Sequence, residues 1–208
     1  SLGYCYNARD TDATYAPLPP PVVGFALLRG PILGSPGDTG VFNGYALPDH
    51  KNLGMTAFYY FTRGDSSVTD PTQGLYEGTL QFYNFFRGKV GLTGEPFIDP
   101  NTTQPTPFAL AGDPVTGQGW VDGQLMAQGD RRLGLSSGPF TMAPGDSQEV
   151  IVAEILGGAT PGVDRLSAIS LVKSYAADIN EFFDTTFVLT DVRDETVGMP
   201  SGFSLSQN

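Results

Sequence analysis

The chain reads as an α+β fold that is mainly β: sandwich-like antiparallel sheets, a long C-terminal amphipathic helix, and a shorter helix near 70–87. Three observations point there. Glycine (27) and proline (17) make up about a fifth of the 208 residues, so the chain turns often. Aromatics still reach 12% and the hydrophobic set 40%, well above what a disordered chain carries. The β-branched and aromatic runs are short and closed by Gly or Pro, whereas two other stretches repeat apolar residues every three or four positions.

Residues 1–21 are polar and then proline-rich, ending in Pro17-Leu18-Pro19-Pro20-Pro21. They form an extended N-terminal arm ahead of a β-rich globular domain over 22–190. Val22-Val23-Gly24-Phe25-Ala26-Leu27-Leu28 is an apolar run between Pro21 and Gly30-Pro31 and predicts a buried strand. Residues 33–50 are rich in Gly, Pro, Asp and Asn and read as loop. Met55–Thr62 is dense in aromatics and closes at Gly64-Asp65, which predicts a strand. Asp70-Pro71 then has the form of an N-cap followed by proline at the first helical position. Tyr76, Leu80, Tyr83 and Phe86 follow at helical spacing, which favours a helix over 70–87 against a strand at Leu80–Phe86. Residues 88–119 carry Gly and Pro throughout and read as loop with brief strands.

Gln148–Leu156 is the strongest strand pattern, preceded by the turn Ala143-Pro144-Gly145-Asp146. Leu166, Ile169, Val172, Ala176, Ile179 and Phe183 step by three and four, predicting an amphipathic helix over 164–184 with Asp164 as its N-cap. Thr186–Thr190 reads as a last short strand, and 191–208 as a polar linker.

Composition excludes several functions. Eleven Lys and Arg against 22 Asp and Glu give a net charge of −11, which repels phosphate backbones and anionic lipid. Neither nucleic-acid binding nor membrane insertion is expected, since no apolar run approaches the roughly 20 residues that span a bilayer. One cysteine, Cys5, and one histidine, His50, preclude an intrachain disulfide and a closed Cys/His zinc site. Cys5 between Tyr4 and Tyr6 reads as a packed apolar residue, and His50 as a loop histidine without a nucleophile elbow. Asp130-Arg131-Arg132 is the one dense basic spot and is expected to pair with nearby carboxylates.

Two constellations could bind a ligand. Trp120 with Asp122 could form a sugar-stacking platform beside a hydrogen-bond acceptor, with Tyr59, Tyr60 and Tyr83 as further stacking faces. The alternative is a core Trp with a solvated Asp. Asn7, Asp10 and Asp12 place three oxygen-bearing side chains within six residues, candidate ligands for calcium, the alternative being a solvated loop. No other cofactor is expected, and no catalytic constellation emerges.

Several stretches together resemble a family of large secreted bacterial proteins exported by the type IX route. They are Ser136–Val150, Asp164–Ile169, Gly112–Trp120 with Asp130-Arg131-Arg132, Asn84–Gly88 with Pro96–Pro100, and Gly3-Tyr4-Cys5-Tyr6. Where that family often shows an acidic Asp-Gly-Asp run, this chain has Asn7-Ala8-Arg9. The end, Pro200–Asn208, resembles the opening of a type IX C-terminal sorting domain, here cleaved or absent. The first residue is Ser1, with no charged segment leading into an apolar one, so a removed signal peptide or a piece of a longer protein is expected.

The resemblance implies a secreted, extracellular or cell-surface protein that meets the type IX machinery during export. The function expected is a non-catalytic structural or adhesive module, self-associating into a surface layer or filament by strand addition through the 1–21 arm. The alternative is a carbohydrate-binding or carbohydrate-active module that meets surface glycans.

Overall fold

The structure is a computed structural model that describes residues 1–186 and the backbone of 189–192. Its elements run β1 (Leu2–Cys5), β2 (Val22–Arg29), β3 (Ile32–Phe42), β4 (Tyr45–Asn52), β5 (Ala57–Thr62), α1 (Tyr76–Phe86), β6 (Phe97–Ile98), β7 (Pro105–Thr106), β8 (Arg131–Ser136), β9 (Ile151–Gly157), α2 (Arg165–Thr186) and β10 (Leu189–Val192). The strands form four small sheets, ordered β1-β2-β9, β10-β4-β3, β5-β8 and β6-β7. The mainly β, α+β class is thus as expected. A two-sheet sandwich is not confirmed, because the β1-β2-β9 sheet is covered by a helix.

That helix is α2. Its Ala168, Ile169, Val172 and Ala176 are buried against Val22 and Ala26 of β2 and Ile155 of β9. Asp164 caps it: its Oδ1 accepts the backbone N–H of Ser167 at 2.7 Å. β2 and β9 pair antiparallel from Val22↔Gly157 to Arg29↔Ile151. Beyond the sheet end, Arg29 Nη1 donates to Glu149 Oε1 at 3.2 Å. Gln148 extends the join by accepting the Ile32 N–H at 2.8 Å and donating to the Ile32 carbonyl at 3.1 Å.

A second core is almost wholly aromatic. Tyr59 and Tyr60 of β5, Phe85 of α1, Phe97 of β6, Trp120, Val68 and Ala109 are buried together. Phe85 stacks on Tyr59 with ring centres 5.6 Å apart and meets Phe61 edge-on at 4.9 Å. β1 joins the two cores, pairing with β2 on one side while Phe58 and Leu135 of the β5-β8 sheet close over Gly3.

Three expectations are corrected, and one strand had no counterpart in the sequence reading. Residues 33–50 are not loop but the β3-β4 hairpin. Asn43 and Gly44, with φ of 51° and 81°, form its two-residue turn between Phe42 and Tyr45. That Asn-Gly signal outweighs the breaker content around it, and the Gly34–Thr39 irregularity absorbs the remaining breakers. The first helix starts at Tyr76 rather than Asp70. Gly74 takes a left-handed φ of 79°, the cap residue Leu75 makes no side-chain bond, and Asp70 pairs with Arg132 at 2.8 Å. The strand without a counterpart is 131–136, which pairs with β5 from Thr62↔Arg131 to Ala57↔Ser136.

The third correction concerns the N-terminal arm. Leu2–Cys5 pair with Val23–Ala26 inside the chain. Asp10 Oδ1 accepts the backbone N–H of Arg165 at 2.9 Å, and Arg165 Nη1 donates to the Ala8 carbonyl at 3.0 Å. The arm therefore lies on the domain, with β1 bonded to β2 along one edge. Of the expected strand at Thr186–Thr190, Thr186 ends α2 and 189–190 open β10, while 187–188 and the rest of the tail, with its sorting-domain resemblance, lie outside the described residues.

Candidate functional site

A concavity lies along β1. It has a volume of about 750 Å³ and is bounded by β1, by Pro20, Pro21 and Val23, and by the loops bearing Phe108–Gly112 and Val121–Asp122. Its lining is mostly aliphatic and aromatic. Its polar groups are the phenols of Tyr4, Tyr6, Tyr15 and Tyr60, with Cys5, Asn7, Asp122, Asp130 and Arg131.

Arg131 organises the polar side. It is nine-tenths buried and ion-pairs with Asp122 at 3.0 Å. It also donates to Thr62 Oγ1 at 2.6 Å and to the Ala127 carbonyl at 2.7 Å, and its guanidinium lies 5.7 Å from the Tyr60 ring centre. Two polar atoms at this wall are shut off from solvent without a hydrogen-bond partner among the described residues: Tyr6 Oη and Arg131 Nε. Elsewhere nearly all buried polar atoms are met, as is usual in folded proteins.

The titratable groups on β1 stay protonated at neutral pH. Burial, aided by the charge of Asp113, pushes the Tyr4 phenol up to about 12. Burial pushes the Cys5 thiol up to about 11, with the charge of Asp122 acting the same way against a hydrogen bond from Leu133. A thiol so held is a poor nucleophile, in keeping with its reading as a packing residue. His50 sits on β4, its Nδ1 2.7 Å from the Pro48 carbonyl.

Trp120 does not present a stacking face. It is 4% exposed and packs edge-on against Phe97, with ring centres 6.4 Å apart. Tyr59 and Tyr60 are also buried, and only Tyr83, on α1, is open. Trp120 is a core residue, and Asp122 serves Arg131. Asn7 and Asp12 are joined by an Asn7 Nδ2 to Asp12 Oδ2 hydrogen bond of 3.0 Å, while Asp10 faces the start of α2 instead. Asp12 also accepts the Thr14 N–H at 2.8 Å, which fits a turn-stabilising carboxylate. Two of the three candidate calcium ligands, Asn7 and Asp12, are thus brought together, and Asp10 is turned away to α2. Asp130-Arg131-Arg132 meets its expectation, Arg131 pairing with Asp122 and Arg132 with Asp70.

Two apolar surfaces escaped sequence reading. Among the described residues β9 is an edge strand, and on its outer face Val152 and Leu156 are open to solvent, Leu156 at 63%, with Val150 just ahead of it. On α1, Tyr76, Leu80, Tyr83 and Phe86 are exposed, Tyr76 at 72%. The helical spacing of that stripe was legible, but not that Phe85, from the other side, would be the buried residue. No helix among the described residues is long and apolar enough to cross a membrane. In comparison with known proteins, no family model, no curated protein and no solved structure matches the chain.

Proposed function

We propose that the protein is a non-catalytic extracellular or cell-surface module, structural or adhesive, that associates with further copies of itself into a layer or filament. The observation that carries this reading is the open β9 edge. Edge strands are normally short, charged or covered, because unpaired backbone groups template pairing with another chain. Here the edge strand has seven residues and bears exposed Val152 and Leu156. An antiparallel pairing of two β9 strands about Glu154 would set Val152 of each copy opposite Leu156 of the other. The α1 stripe supplies a second apolar contact. Two distinct self-complementary surfaces on one molecule generate an open chain rather than a closed dimer.

Export by the type IX route, by resemblance, is the companion proposal on location. The acidic, loop-rich composition supports a surface role without supplying a partner. Sedimentation velocity and negative-stain electron microscopy test the assembly. The wild type should form species larger than a dimer, and Val152→Lys with Leu156→Lys should shorten them. A wild type that stays monomeric at high concentration overturns the reading, as does a double variant that assembles unchanged.

A further inference from the structure

The cavity along β1 plays no part in the surface contacts just proposed. Its volume of about 750 Å³ lies within the roughly 300–1,000 Å³ of small-molecule sites, which are typically apolar with a few placed polar groups. We propose that it is a binding site for a neutral, mainly apolar molecule.

The chemical class follows from the wall. Leu2, Val23, Met55, Phe58, Phe108 and Leu133 offer hydrocarbon surface. Charge at the wall is matched internally, since Arg131 is held by Asp122, so neither is left for a charged ligand. The remaining lining charge, Asp130, is acidic and the chain carries a net −11, which disfavours anions. A cation would find Asp122 already paired with Arg131, and Asp130, the other lining acid, exposed to solvent.

Nile red, a neutral apolar dye with a carbonyl, is the probe. Its emission should shift to the blue and saturate with the wild type, while the anionic dye 1-anilinonaphthalene-8-sulfonate binds at least tenfold more weakly. Val23→Trp, which fills the cavity from β2, should abolish Nile red binding. In the wild type, saturating Nile red should slow alkylation of Cys5, which lines the same cavity, by N-ethylmaleimide. This last measurement stands if Val23→Trp does not fold. Unchanged alkylation, unchanged binding in folded Val23→Trp, equal binding of the two dyes, or binding lost instead in Val152→Lys with Leu156→Lys each overturns the proposal.

Discussion

Lys173 and Asp113 show how single side chains tie distant segments. Lys173 Nζ, on α2, donates to Asp113 Oδ1 in the 112–120 loop at 2.6 Å. That bond, helped by the Val115 N–H, holds the Asp113 carboxyl below its ordinary range. A depressed folded value means that the contribution is present above the unfolded carboxylate pKa of about 4 and is lost as pH falls through the folded value. Both side chains are about one-third exposed, so screening keeps the contribution at the low end of roughly 0.2–1 kcal/mol. Lys173→Gln should therefore lower Tm slightly at pH 7, and the difference from the wild type should shrink steadily below about pH 4 in circular-dichroism melts. A difference that persists unchanged at pH 2 would contradict this account. Residue-level pairing was partly legible: an arginine pair in an acidic chain finds carboxylates, and Arg131 and Arg132 do. Which carboxylate each finds depends on the β5-β8 register, which brings Arg131 beside Thr62. Trp120 and Asp122 lie two positions apart yet serve different masters, because one turns into the aromatic core and the other toward Arg131.

At the scale of elements, α2 was fully legible and the β3-β4 hairpin was not. Helical periodicity is a long signal that tertiary context rarely overrides, and Leu166, Ile169, Val172, Ala176, Ile179 and Phe183 carry it over the length of the helix. The hairpin strands bury one face weakly, so Ser35, Gly37, Asp38 and Asp49 are tolerated there and mask the alternation. For α1 the periodicity located the helix, but its start depended on Gly74 and on Asp70 being engaged by Arg132. Ile169 is fully buried in the α2 core. Ile169→Asp removes its packing and places an unpaired carboxyl there, at a cost of at least about 3 kcal/mol. The expected outcome is a fall in Tm of more than ten degrees or failure to fold, measured by thermal melt and near-UV circular dichroism. An unchanged melt would show that α2 does not hold the β1-β2-β9 sheet.

For the whole molecule, charge and apolar edges oppose one another. Copies with a net charge of −11 repel, and a β9-β9 pairing would set Glu154 against its own copy. Raising the salt concentration should therefore promote association, and Glu154→Gln should lower the protein concentration at which it begins, both read by sedimentation velocity. Association that weakens with salt would mean that ion pairs, not apolar edges, join the copies. The mainly β class was legible as a whole, but the division into two cores bridged by β1 was not, because it depends on contacts between residues far apart in the chain. The same remoteness governs how the molecule reaches its native state. Arg29 and Glu149 meet across 120 residues, and the β2-β9 ladder beside them closes a loop of similar size. Such closure must offset its chain entropy before any ladder bond forms, which places it among the slow, non-local events of folding. The β3-β4 hairpin and the β5-α1 aromatic cluster draw on nearer partners and can form early, while β2 waits for a strand synthesised long after it. A translocation route that delivers the chain unfolded would thus have a built-in time window before the sheet locks.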